Sequence, residues 1–237
     1  GFLIKKEIEN LAMLMEGPKK PFLTIMGGAK VSDKINVIES MMEKIDTFLV
    51  GGAMAYTFLA AQGHGVGKSR VEKDRLSFAR DLIKRIESRG KKILLPMDHI
   101  VADDFLAPTK IETVDGPTIP EDRLGLDIGP KTRELYRKEI ERAKTVFWNG
   151  PMGVFERPEF AKGSFVIAEA LATLAQNGGV SVVGGGDSAA AAEASGFADK
   201  MTHISTGGGA SLEYLEGAKL PGLEALRVIR ESATPSF

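Results

Sequence analysis

The 237-residue sequence contains no cysteine. Disulfides, thiolate nucleophiles, iron–sulfur clusters and cysteine zinc sites are therefore excluded, and the composition fits a reducing compartment. Apolar runs are short: none approaches the roughly 18 uninterrupted residues that a membrane-spanning helix needs. Residues 1–16 mix lysines and glutamates into their apolar pattern, unlike a signal peptide. Neither sign of charge dominates. Thirty-one Lys and Arg oppose 32 Asp and Glu, for a net charge of −1, which argues against a nucleic acid or a membrane surface held by bulk charge. The three histidines, His64, His99 and His203, have no metal-ligand spacing, and structural roles are expected for them.

What the sequence has in excess is glycine. Its 27 glycines exceed the typical share of about 7%. Twelve of them fall in five clusters, at 27–28, 51–52, 178–179, 184–186 and 207–209, most of which directly follow an apolar run. That placement points to turns at the ends of strands. The apolar periodicity predicts a helix over 2–15, ended by Gly17-Pro18, and then strands alternating with helices. Strand 22–26 precedes helix 31–44, and strand 47–50 precedes helix 53–61. Helix 72–89 leads to strand 92–95, helix 131–143 to strand 145–148, and helix 160–177 to strand 180–183. A helix over 188–194, a strand over 201–204 and a last helix from Ala210 follow. Such alternation implies a three-layer α/β fold of the Rossmann-like type, a doubly wound parallel sheet with helices on both faces. Over residues 98–129 the pattern breaks into short runs with Pro108, Gly116, Pro117 and Pro120, and a small antiparallel excursion is expected there. No internal repeat of about 20–50 residues is evident, one main domain over 17–230 is the simplest account, and residues 231–237 read as a frayed tail.

In an open parallel sheet, ligands sit beyond the carboxyl ends of the strands, where glycine turns expose backbone amides beside helix N-termini. Any one pair taken alone reads first as a tight turn, but the five clusters together fit an anion, most simply a nucleotide. In Gly27-Gly28-Ala29-Lys30-Val31-Ser32-Asp33-Lys34 the two lysines stand four residues apart, on one face of a first helical turn, where the macrodipole disfavours them unless an anion is near. Asp187, after Gly184-Gly185-Gly186 and before Ser188, reads as an N-cap, as a carboxylate holding Mg²⁺ on nucleotide phosphates, or as both. The 205–211 segment repeats the glycine turn without an acid, an amide-rich start suited to an oxyanion. Asn149 and Glu156, in the turn 148–156, are either solvated loop residues or, for Glu156, a partner of ribose hydroxyls. Gly65-Val66-Gly67-Lys68-Ser69 imitates a phosphate-binding P-loop but lacks its first glycine, which would fall at Gln62, and a preceding strand.

Together, GGAKVSDK, FLVGGAMAYTFL, LDIGP, VFWNGPMGVFE, VVGGGDS and STGGGASLE resemble, in order and along nearly the whole chain, the phosphoglycerate kinase family. The likeness is to the C-terminal, nucleotide-binding half, beginning in the helix at 1–16 that joins the two halves. The resemblance implies that Lys30 neutralises the transferring phosphoryl and that Lys34 contacts the nucleotide phosphates. By the same likeness Gly28 and Ala29 border the phosphates, Asn149, Gly185, Gly186 and Ser188 line them, and Asp187 carries Mg²⁺. Glu156 would bind ribose, Gly51, Gly52, Gly125 and Leu126 would form an adenine slot, and Pro151 and Val154 would pack near ribose. Gly207, Gly208 and Gly209 would point amides at the transferred phosphoryl. It further implies ADP or ATP as ligand, an N-terminal phosphoglycerate-binding half as partner, a monomer in the cytoplasm, and weak or no turnover by this chain alone. The alternative is a dinucleotide-binding oxidoreductase domain, which needs G-x-G-x-x-G after its first strand and an acid about 20 residues on. Gly27-Gly28-Ala29-Lys30-Val31 lacks that spacing.

Overall fold

The computed structural model describes residues 1–205 and 215–216. Four short apolar segments, β1 (Phe22–Met26), β2 (Thr47–Val50), β7 (Thr145–Asn149) and β8 (Val180–Gly184), form the centre of a parallel sheet flanked by β3 (Lys92–Leu94) and β9 (His203–Ile204). The strand order is β3-β2-β1-β7-β8-β9. From β1 the chain winds outward through β2 to β3, and after β7 it winds the other way through β8 to β9. The winding direction therefore reverses between β1 and β7, and a crevice opens there beyond the carboxyl ends of the strands.

Alternating side chains divide the core into two layers. Phe22, Met26, Phe48, Val50, Phe147 and Val182 face one side, against α1 (Phe2–Glu16), α2 (Ile35–Met41), α3 (Met54–Ala61) and α4 (Leu76–Ser88). Leu23, Ile25, Leu49, Val146, Trp148 and Val183 face the other, against α5 (Pro130–Arg142), α6 (Lys162–Gln176) and α7 (Gly186–Ser195). The period of two along each strand thus produces the three-layer fold that the alternation of elements predicts. The antiparallel excursion is a three-stranded sheet, β4 (Asp98–Ala102), β5 (Ile111–Asp115) and β6 (Leu124–Ile128), in the order β5-β4-β6. Asp98 joins it to α5: its carboxylate oxygens accept the Lys131 and Thr132 amides at 2.8 and 2.9 Å, satisfying two of the helix's first donors.

Several boundaries differ from the sequence reading. The helix expected over 31–44 is a 3-10 turn at Val31–Asp33 followed by α2 ending at Met41, and the one expected over 72–89 starts as a 3-10 turn at Lys73–Arg75. The helix expected from residue 160 is likewise a 3-10 turn, Pro158–Phe160, before α6. The last strand is only His203–Ile204. The helix expected from Ala210 and the tail at 231–237 lie outside the described residues.

Tyr136 of α5 is fully buried, with its hydroxyl 2.6 Å from the Val50 carbonyl and 3.0 Å from that of Leu94, at the ends of β2 and β3. Tyr136→Phe removes that donor while keeping the ring. It is expected to cost about 1–2 kcal/mol in urea denaturation, and an unchanged midpoint would show that the bridge is energetically neutral.

Candidate functional site

At the reversal point, the chain leaving β1 at Gly27 and the chain leaving β7 at Gly150 are laced together. The Gly27 amide donates to the Asn149 carbonyl at 2.9 Å, and the Gly28 amide to the Pro151 carbonyl at 3.0 Å. The neighbouring strand β8 runs into Gly184 and Gly185. Gly185, at φ +95°, turns the chain so that α7 starts at once and its first amides face the crevice. The first intrahelical bond is Ala189 amide to Gly185 carbonyl, at 3.0 Å, and the amides before it have no acceptor in the helix.

These turns enclose a cleft of about 370 Å³. Gly28, Ala29, Lys30, Lys34, Asn149, Pro151, Gly185, Gly186, Asp187 and Ser188 all line it. Ten of the residues implied by the resemblance thus meet in one place. Within it, Lys34 Nζ donates to Asn149 Oδ1, and Asn149 Nδ2 donates to the Gly184 carbonyl at 2.8 Å. The buried Ser188 hydroxyl accepts the Gly150 amide at 2.5 Å. Burial pushes the Lys34 ammonium down to about 8, against the pull of Asp33, Asp187 and Glu216. An ammonium partly stripped of water is stabilised by an anion brought beside it. Helix N-terminal amides and a partly desolvated lysine both favour negative charge, so the cleft is built for an anion.

Two local expectations are corrected. Lys30 and Lys34 do not share a helical face. Lys30 is extended (φ −126°, ψ 127°) and exposed, and Lys34 follows a 3-10 turn and points into the cleft. Asp187 is not the N-cap of α7: Gly185 occupies that position, and Asp187 lies exposed in the first turn.

The remaining residues lie away from this cleft. Gly51 and Gly52 are buried behind it, where a Cβ at Gly52 would stand 2.5 Å from the Gly28 nitrogen and one at Gly51 2.3 Å from Met152 Sδ. Gly125 is covered by Tyr56. The Leu126 carbonyl accepts the Val154 amide at 3.0 Å, and both side chains pack with Phe160. Glu156 is exposed on the loop beyond. Gly207, Gly208 and Gly209 lie outside the described residues. Asp33, Gly150 and Glu216 are the additions: Asp33 and Gly150 line the cleft and Glu216 acts on Lys34. Asp33 could have been found from its place beside Lys34, whereas nothing in the sequence ties Glu216 to it.

The histidines are structural where their contacts are seen. His99 is fully buried against the Pro117 carbonyl, and His203 pairs with Glu7. Among the described residues, no group of three or more His, Asp or Glu could hold a metal ion, and no helix is long and apolar enough to cross a membrane.

A family profile described as phosphoglycerate kinase matches residues 1–218. The chain belongs to the phosphoglycerate kinase family. Phosphoglycerate kinase of Bdellovibrio bacteriovorus is 59% identical over 227 residues, covering 96% of this chain and 56% of its own. That of Clostridium novyi is 54% identical over 226 residues, with 95% and 56% covered. The structure of phosphoglycerate kinase from Coxiella burnetii superposes with a TM-score of 0.89 at 38% identity, covering 95% of this chain and 57% of that one. That from Pyrococcus horikoshii gives 0.81 at 33% identity, with 98% and 57% covered. The chain therefore spans little more than half the length of these phosphoglycerate kinases. Membership in a kinase family also disfavours the oxidoreductase alternative.

Proposed function

We propose that this chain is the C-terminal, nucleotide-binding half of a phosphoglycerate kinase, with residues 1–16 as the helix joining it to the other half and 17–230 as the nucleotide domain. The observation that carries the reading is the convergence of Lys34, Asn149 and Asp187 on the amide end of α7, in one cleft at the reversal of the sheet. The reaction of the whole enzyme moves a phosphoryl group from the acyl phosphate of 1,3-bisphosphoglycerate to MgADP. The phosphorus–oxygen bond to the acyl oxygen breaks as one to the terminal ADP oxygen forms, giving 3-phosphoglycerate and MgATP. Such a transfer needs charge neutralisation and in-line positioning more than a nucleophile and base.

In this reading the phosphate tail lies along the α7 amides, with Gly28, Ala29, Gly185, Gly186 and Ser188 as its walls. Lys34 meets the nucleotide phosphates while Asn149 orients the ammonium, and the exposed Lys30 is placed to reach the transferring group. Gly207–Gly209 would add amides at the same point. Glu156 takes the ribose hydroxyls, with Pro151 and Val154 beside them, and Gly51, Gly52, Gly125 and Leu126 form the adenine slot. Two exposed carboxylates, Asp33 and Asp187, line the cleft. This suits magnesium carried in on the nucleotide, whose other ligands are phosphate oxygens and waters. Bound there, magnesium neutralises phosphate charge. The other half supplies the phosphoglycerate site, so the chain alone binds nucleotide and turns over weakly or not at all. It acts as a monomer in the cytoplasm.

Calorimetric titration of the chain with MgADP tests this. Binding is expected, weakened roughly tenfold or more in Lys34→Ala and in Asp187→Ala, as loss of a charged contact implies. No heat and no thermal shift at millimolar MgADP would overturn the reading.

A further inference from the structure

The two lysines of the cleft owe their different orientations to the short turn between them. That turn is closed by bonds from the Asp33 amide to the Lys30 carbonyl, at 3.3 Å, and from the Lys34 amide to the Val31 carbonyl, at 2.9 Å. Val31 anchors one side of the turn in the core, but two such bonds leave the half-buried Ser32 and the exposed Asp33 weakly constrained. A third element supplies the rest. Glu72, from the loop that precedes α4, takes both donors of Ser32: the amide donates to Oε1 at 3.2 Å and the hydroxyl to Oε2 at 2.7 Å. The Glu72 amide in turn donates to Thr57 Oγ1 at 3.0 Å, and Thr57 is buried in α3. A chain of hydrogen bonds thus runs from the packed helix α3 through Glu72 to the middle of the lysine turn. Glu72 is not among the residues that line the cleft.

We propose that Glu72 is a positioning residue for the phosphate-binding lysines: by gripping Ser32 through both carboxylate oxygens it holds the 30–34 turn in the shape that aims Lys34 into the cleft. Two features make a carboxylate the suitable group. It presents two acceptors at a separation matched to the amide and hydroxyl of one residue, which a hydroxyl or single carbonyl cannot do, and its charge strengthens both bonds. Its negative charge is also spent on donors at the back of the turn, away from the anion that the front must receive. This inference rests on the nucleotide reading of the cleft.

The test is MgADP titration of the 237-residue chain and its variants, with thermal unfolding followed in parallel. Glu72→Ala is expected to bind roughly tenfold more weakly, and Ser32→Ala, which loses only the hydroxyl bond, roughly threefold. Ser32→Thr restores the hydroxyl and is expected to recover wild-type affinity, and Glu72→Gln, which keeps one acceptor, to recover part of it. In a Lys34→Ala background, Glu72→Ala is expected to weaken binding no further, because its effect passes through that lysine. If Glu72→Ala does not fold, Ser32→Ala and Ser32→Thr carry the same test. A wild-type chain that binds MgADP while folded Glu72→Ala and Ser32→Ala bind it equally well overturns the positioning role alone. So does a Glu72→Ala loss that adds in full to that of Lys34→Ala. A wild-type chain that gives no binding overturns the nucleotide reading and this role with it.

Discussion

Gly150→Ala is expected to destabilise the protein by about 3–6 kcal/mol and to abolish the nucleotide binding proposed for the cleft. The position has φ +104°, where an L side chain costs roughly 1–2 kcal/mol. A Cβ there would also stand 2.2 Å from the Gly27 carbonyl oxygen and 2.3 Å from its carbon. Those are main-chain atoms at the end of β1, so no rotamer relieves the clash, and displacing them costs roughly 1–3 kcal/mol more. The movement cannot stay local. The Gly150 amide donates to Ser188 in the first turn of α7, and its carbonyl accepts Trp148 Nε1 at 2.7 Å, so a shift strains both and costs about another 1 kcal/mol. Trp148 is the only tryptophan and is fully buried, which makes its fluorescence in guanidinium the direct readout. Gly186→Ala is the control. A Cβ there meets nothing within 4 Å at the start of a helix, and stability should change by no more than about 1 kcal/mol. Equal losses at the two positions would refute the steric account.

The contrast between these two glycines marks how far the site was readable from residues alone. Apolar runs ending in glycine revealed β1, β2, β7 and β8, because a strand buried on both faces is a short continuous apolar segment. They did not reveal that β7 lies against β1, since strand order is set by how helices pack on the two faces. Yet that neighbourhood creates the cleft: without it Gly27 and Gly150 are two turns among several. Within the cleft, residue types were legible and geometry was not. Lys30 and Lys34 at a spacing of four suggested a helical face, but the buried Val31 and the Glu72 clamp on Ser32 favour a 3-10 turn instead. Asp187 suggested a cap by its type, whereas Gly185 takes the position because the chain must reverse sharply between β8 and α7. The excursion over 98–129 was visible only as a break in pattern. Its outer strand β5 is mostly exposed and so shows no alternation to read.

The largest pH dependence of stability is expected from a residue that composition and spacing did not single out, Asp127 at the end of β6. Its side chain is buried, with Oδ1 accepting the Ile128 amide and Oδ2 the Gly163 amide, each at 2.9 Å. Burial nevertheless outweighs those bonds and the nearby Arg133, and pushes the carboxyl up to about 7. The packing explains why. A Cβ on Gly153 or Gly163 would come within 2.5 or 2.2 Å of Oδ1, so protein backbone fills the space that water would need to solvate the charge. An unfolded aspartate titrates near 3.9, so between about pH 4 and 7 the folded chain binds the extra proton. The stability this contributes is fully present below about pH 4 and is lost as pH rises through about 7, a change of roughly 4 kcal/mol. Asp127→Asn resembles the protonated form at every pH, and the constant cost of its misplaced amide cancels in a comparison across pH. Urea denaturation at pH 4.5 and pH 8 should therefore show the variant gaining on the wild type by about 3–4 kcal/mol between the two. Parallel profiles would mean that the two amide donors and Arg133 keep the carboxylate ionised. In that case the anchor between β6, α6 and the 151–156 loop would be an ionic one, and Asp127→Asn would weaken it equally at both pH values.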